Sequence, residues 1–192
     1  MSTNAVANRF LASNLALIVC CGCYLLWWIL AFKPTSPVTG MSSGWLLIPA
    51  FVAGLVGIVG IIWTGAGAVV DRKLFVGWRL VVAGIACYLV LLVVTRLVFG
   101  RPVTAELFLM VGWAVLMLSE LNALFGAGVF SWHRAAAFIA VIIAALVVCL
   151  VCYTIYYHLG LRSGFVVGII PLALGGVMMA VICISICRSP TR

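Results

Sequence analysis

Residues 135–157 read AAAFIAVIIAALVVCLVCYTIYY, 23 consecutive positions without a charged side chain. A helix rising about 1.5 Å per residue needs about 20 such positions to cross the hydrocarbon of a bilayer. Arg134 and His158 bound the run on either side. The pattern recurs along the chain, giving spans near 13–32, 45–66, 78–99, 105–126, 134–158 and 164–187. Between them lie KPTSPVTGMSSG, DRK, GRP, SWHR and LGLRSG, whose glycines, prolines and charges end helices and belong outside lipid. The runs lack the apolar–polar alternation of membrane-barrel strands. The expected fold is an all-α membrane protein with six transmembrane helices, a single polytopic domain over residues 1–192.

Composition points the same way. Hydrophobic residues make up 67% of the chain and charged residues 7%, against about a quarter charged in soluble domains. So few charges cannot cover a surface facing water, so the first partner is the lipid bilayer itself. The formal charge of +8 is eleven Lys and Arg less three acids, with the basic residues dispersed along the chain. No basic stripe or cluster exists to bind nucleic acid, which is excluded as a partner. The first apolar run follows Arg9 as a signal peptide would. It lacks a small-residue cleavage site, however, and is read as a retained span.

The basic residues set an orientation. Arg9, Arg72, Lys73, Arg79, Arg134, Arg188 and Arg192 fall on one side, and Lys33, Arg96, Arg101 and Arg162 on the other. By the positive-inside rule both termini are expected in the cytoplasm, in a multi-pass plasma or bacterial inner membrane. Trp78 and Trp132 then mark the inner interface, and Trp27, Trp28 and Trp45 the outer one. The pair CY recurs at Cys23-Tyr24, Cys87-Tyr88 and Cys152-Tyr153, and GAG closes the second and fourth spans. Three tandem helical hairpins explain these coincidences. Chance recurrence in a chain built from few residue types explains them equally well.

Acids are rare: the chain holds three, and one lies deep within a span, in GWAVLMLSELNALFGAG (residues 112–128). Glu106, Trp113 and Glu120 are spaced seven and seven, so they share one helical stripe. Gly112, Ser119 and Gly126 form a second stripe, flanked by Val115 and Asn122 on the side away from Glu120. Small residues in line admit a neighbouring helix, and Ser and Asn can bond across it. Folding the third helix back, with the turn centred between Arg101 and Pro102, sets Arg96 level with Glu106 as an outer ion pair. The same register sets Ala83 level with Glu120, with Arg79 one turn nearer the cytoplasm. Glu120 then has two readings. Arg79 reaches up and neutralises it, locking two helices together. Alternatively Glu120 lines a polar cavity and binds a proton or cation, since low dielectric disfavours the charged form. A carboxyl placed that way can couple proton movement to transport.

Eight cysteines all fall inside spans, where a thiol acts as a small apolar residue. Cys149 and Cys152 match a C-x-x-C spacing, but the redox motif needs a helix start and a cationic neighbourhood. His133 and His158 are 25 residues apart on one helix and cannot share a metal or haem iron. No phosphate loop, zinc-protease or serine-nucleophile motif is present. Glycines at 54, 57 and 60 in GLVGIVG read as a groove for a neighbouring helix. No cofactor and no bound metal are expected.

The preferred expectation is a small-molecule or ion transporter, or the membrane subunit of one, rather than an enzyme. Pro49 and Pro171 inside helices support it, because proline releases backbone carbonyls that line transporter cavities. The alternative is a structural or assembly partner in a membrane complex, as a homo-oligomer or with another membrane protein. A membrane thiol oxidoreductase built on Cys149 and Cys152 comes third.

Overall fold

The computed structural model describes residues 3–32, 43–67, 77–100, 104–156 and 158–189. Among them six α-helices follow in chain order: α1 (Thr3–Phe32), α2 (Leu47–Gly67), α3 (Gly77–Phe99), α4 (Thr104–Gly126), α5 (Trp132–Tyr156) and α6 (Leu161–Cys187). A 3-10 turn, Ser43–Leu46, leads into α2. No strand occurs among the described residues. Each helix contains a stretch of 20 to 30 residues long and apolar enough to cross a membrane. Large apolar side chains face outward, with Leu97 79%, Phe51 72% and Trp63 72% exposed. A water-soluble bundle would bury them; here they form the surface that lipid covers. The chain is a multi-pass membrane protein.

Helix α1 begins about ten residues before its apolar run. Polar residues Asn4, Asn8 and Arg9 hide this start from a hydropathy reading, yet Val6 and Phe10 on the same segment are buried. They join Ala123, Leu124, Phe130 and Ile186 in the main core cluster. The helix therefore continues because its first turns have an apolar face to bury, against the turn between α4 and α5.

That turn identifies one end of the bundle. Thr3 Oγ1 donates to Ala127 O at 3.2 Å, and Arg134 Nη1 donates to Ser189 Oγ at 3.2 Å. This end, called the near end, gathers both ends of the described chain. Helix α4 stops there because Gly128 takes φ 75°, letting Val129 N–H reach Leu124 O and Gly128 N–H reach Phe125 O. At the opposite, far end, Trp28 lies over Gly168 and donates its Nε1–H to Phe165 O at 3.4 Å, tying α1 to α6.

The glycine groove on α2 receives α1. Gly54, Gly57 and Gly60 face Cys20, Leu17 and Ser13 in turn, as antiparallel neighbours must. Without side chains at these positions the two backbones approach closely.

Helix α3 packs on α4 through a smaller notch, where Gly84 meets Val115 and then Val111. A turn centred between Arg101 and Pro102 would instead set Gly84 beside Ser119. The observed register is about one helical turn different, because Val115 seats its methyls in the space Gly84 leaves. On the open side of α4, a methyl placed on Gly112 would meet nothing within 4 Å, and Ser119 is exposed with Gly65 of α2 at its edge.

The two prolines behave differently. Pro49 is the third residue of α2, within the first turn, where its missing N–H costs nothing. It frees no mid-helix carbonyl, contrary to the expectation from sequence. Pro171 does lie inside α6 and is buried.

Candidate functional site

Helix α4 is the most deeply buried of the six, and its interior face holds Leu107, Met117, Leu121 and Leu124, all 0% exposed. Glu120 lies on the edge of that face and is also 0% exposed. It is six residues from the end of α4, so about 9 Å from the near end along the helix axis.

The structure brings Glu120 to Asn14 of α1. Asn14 is 0% exposed, and its Nδ2 donates to Glu120 Oε1 and to Phe10 O, the latter at 3.0 Å. Both neighbours of that nitrogen are acceptors, which fixes the amide orientation: reversing it would set oxygen against oxygen. Both amide hydrogens are thereby used. Asn14 Oδ1 and Glu120 Oε2 have no hydrogen-bond partner, and neither has the buried Trp113 Nε1 on the same stripe of α4. Trp113 faces Gly175 of α6. Cys183, also on α6 and buried, lies within electrostatic range of Glu120. The site is thus a junction of α1, α4 and α6, with two unpartnered acceptor oxygens at its centre. Each such atom, shut away from water, costs about 1–3 kcal/mol until a donor or cation meets it.

Arg79, which one of the two sequence readings sets against Glu120, stands in the first turn of α3 and is exposed. Helix α3 packs on the Val111 and Val115 side of α4. At 100° per residue that side is about 140–180° round the helix from Glu120. The hydrogen bond to Glu120 therefore comes from α1, on the side away from α3. Arg96 is exposed in the last turn of α3. The side chain of Glu106 lies outside the described residues, and with it the expected outer ion pair.

Asn14 is not among the site residues expected from sequence. Its signal was present: a carboxamide at the start of an apolar run, in a chain whose only mid-span acid needs a partner.

The remaining candidates carry less chemistry. All eight cysteines are free thiols. Cys149 and Cys152 are buried, and Cys149 packs with Leu107, Met110 and Val111. His133 and His158 are both exposed, at opposite ends of α5. A groove of about 310 Å³ opens between α3 and α5, lined by Leu91, Val94, Leu150 and Val151 among others. Its two threonines turn inward: Thr95 Oγ1 donates to Leu92 O and Thr154 Oγ1 to Leu150 O, at 3.1 and 2.7 Å. It offers lipid an apolar surface and does not touch Glu120. Among the described residues no three His, Cys, Asp or Glu side chains gather to hold a metal ion. Comparisons with protein-family models, with curated proteins and with solved structures found no match to this chain.

Proposed function

We propose that this membrane protein moves a small molecule or ion, alone or as the membrane subunit of a transporter, with Glu120 as the group that couples a proton or cation to the movement. The observation that carries this reading is a carboxyl fully buried among three helices, held by a single hydrogen bond and with one oxygen unpartnered. A purely structural contact gains little from an acid there, whereas a group that binds and releases charge needs that setting. The excess of basic residues on one side supports cytoplasmic termini in a plasma or bacterial inner membrane. The test is solute and proton flux in proteoliposomes, comparing the native protein with Glu120→Gln. Flux that stops with the substitution supports the reading; flux indifferent to it removes Glu120 from the mechanism.

A second reading, a non-transporting assembly partner, is favoured by one feature. The small-residue stripe on α4 is open at Gly112 and Ser119, a face on which another helix could seat closely. Co-purification in mild detergent tests this reading: migration as a lone monomer, under conditions that keep other membrane complexes intact, counts against it.

A further inference from the structure

We infer that Asn14 and Glu120 form a site for one proton, and not for a metal cation, at the contact of α1 with α4. This deepens the coupling role of Glu120 and rests on it only for the link to transport. The site itself stands on geometry.

Donors and acceptors can be counted. Asn14 supplies two amide hydrogens, one to Phe10 O and one to Glu120 Oε1. Two oxygens, Asn14 Oδ1 and Glu120 Oε2, are left as buried acceptors without a hydrogen-bond partner. In the inferred pair, one proton on Oε2 makes that oxygen a donor to Asn14 Oδ1, the second edge of an acid–amide pair whose first edge is the Nδ2–Oε1 bond. The proton comes from hydronium in the water: one of its O–H bonds breaks and leaves a water molecule as the O–H bond on Oε2 forms, and the product is a neutral acid–amide pair. Neutrality suits a bundle interior whose apolar core includes Met117 and Leu121 of α4 and Met179 and Ile182 of α6.

A metal cation fits poorly. Hard cations take six or more oxygen ligands. Intramembrane sodium sites gain theirs from carbonyls of broken helices. Helices α1 and α4 run unbroken through Asn14 and Glu120, so their carbonyls are committed to the helix. Two oxygens remain, enough for a proton and too few for a coordination shell.

Among the described residues, the hydrogen bond that reaches the Glu120 carboxyl comes from an uncharged amide, and the basic side chains nearest in sequence to the site stand at helix starts. From α1, Asn14 itself faces the carboxyl, and Arg9 is exposed. Helix α2 carries no ionisable side chain. Arg79 on α3 and His133 and Arg134 on α5 are exposed at helix starts. Helix α6 contributes the Cys183 thiol.

Infrared spectroscopy tests this directly. The chain has two glutamates, so Glu106→Gln protein labelled with carbon-13 glutamate reports Glu120 alone. In lipid near neutral pH the label should shift a carbonyl stretch of a protonated carboxyl. That band should persist when sodium, potassium or magnesium is added. It should move to higher frequency in an added Asn14→Leu substitution, which removes the amide donor. Carboxylate bands in place of the protonated one, loss of the band on adding a metal ion, or indifference to Asn14→Leu would each overturn the inference. Absence of solute flux would count against transport and leave this result standing.

Discussion

Gly57 of α2 lies directly against Leu17 of α1: a methyl built on Gly57 would stand 2.5 Å from Leu17 Cγ and 2.9 Å from the backbone oxygen of Ser13. Gly57→Ala should therefore push α2 off α1 and cost about 1–3 kcal/mol, the usual penalty of overpacking. Gly22→Ala and Gly112→Ala add a methyl where nothing lies within 4 Å, and should be neutral or mildly stabilising. Unfolding midpoints in detergent check the contrast. Equal midpoints for Gly57→Ala and the native protein would contradict the α1–α2 contact.

The notch between α3 and α4 makes a prediction about coupling. Gly84→Ala sets its methyl 2.5 Å from Val115 Cγ2 and should loosen α3. Val115→Ala vacates that space. In a double-mutant cycle the two changes together should cost less than their sum, by about 0.5–3 kcal/mol. Strict additivity would place Val115 elsewhere.

Asn14→Leu and Glu120→Gln should differ in severity. The leucine leaves Glu120 Oε1 buried without a donor, at about 1–3 kcal/mol. The glutamine keeps an acceptor for Asn14 Nδ2 and brings an N–H for Asn14 Oδ1. Glu120→Gln should therefore melt near the native protein, with Asn14→Leu well below it. The reverse order would mean that the amide is not the group holding Glu120.

Thiol labelling in intact vesicles should follow burial and the membrane together. Cys149 and Cys152 are buried and should resist both water-soluble and lipid-permeant maleimides. Cys187 is exposed at the near end and should react with the water-soluble reagent. Cys87 is exposed in the middle of α3, where lipid covers it, and should react only with the lipid-permeant one. Rapid labelling of Cys149 or Cys152 by the water-soluble reagent would reopen a redox role for that pair.

The six helices were legible because lipid imposes a length and an apolar composition on each, and both are written along the chain. The groove of Gly54, Gly57 and Gly60 was legible for a similar reason, since glycine recurs on the face that must come close. What escaped was sideways placement. Asn14 lies 106 residues from Glu120, at the polar edge of its apolar run, and no periodicity within either helix states that their faces meet. The start of α1 was hidden because Val6 and Phe10 bury themselves on a distant turn amid polar neighbours. The α3–α4 register shifted because one valine seats against one glycine, a packing detail that a turn-centred alignment does not contain.

The length of chain between Asn14 and Glu120 also bears on biogenesis. At about 5–20 residues per second, the ribosome adds Glu120 roughly 5–20 s after Asn14. Through that interval the first helix carries its carboxamide without the acid that later receives it. The bond from Asn14 Nδ2 to Phe10 O, within α1 itself, serves as the interim partner. The amino-terminal helix can thus wait among lipids with one hydrogen satisfied, and the other is met only when the fourth helix is delivered beside it.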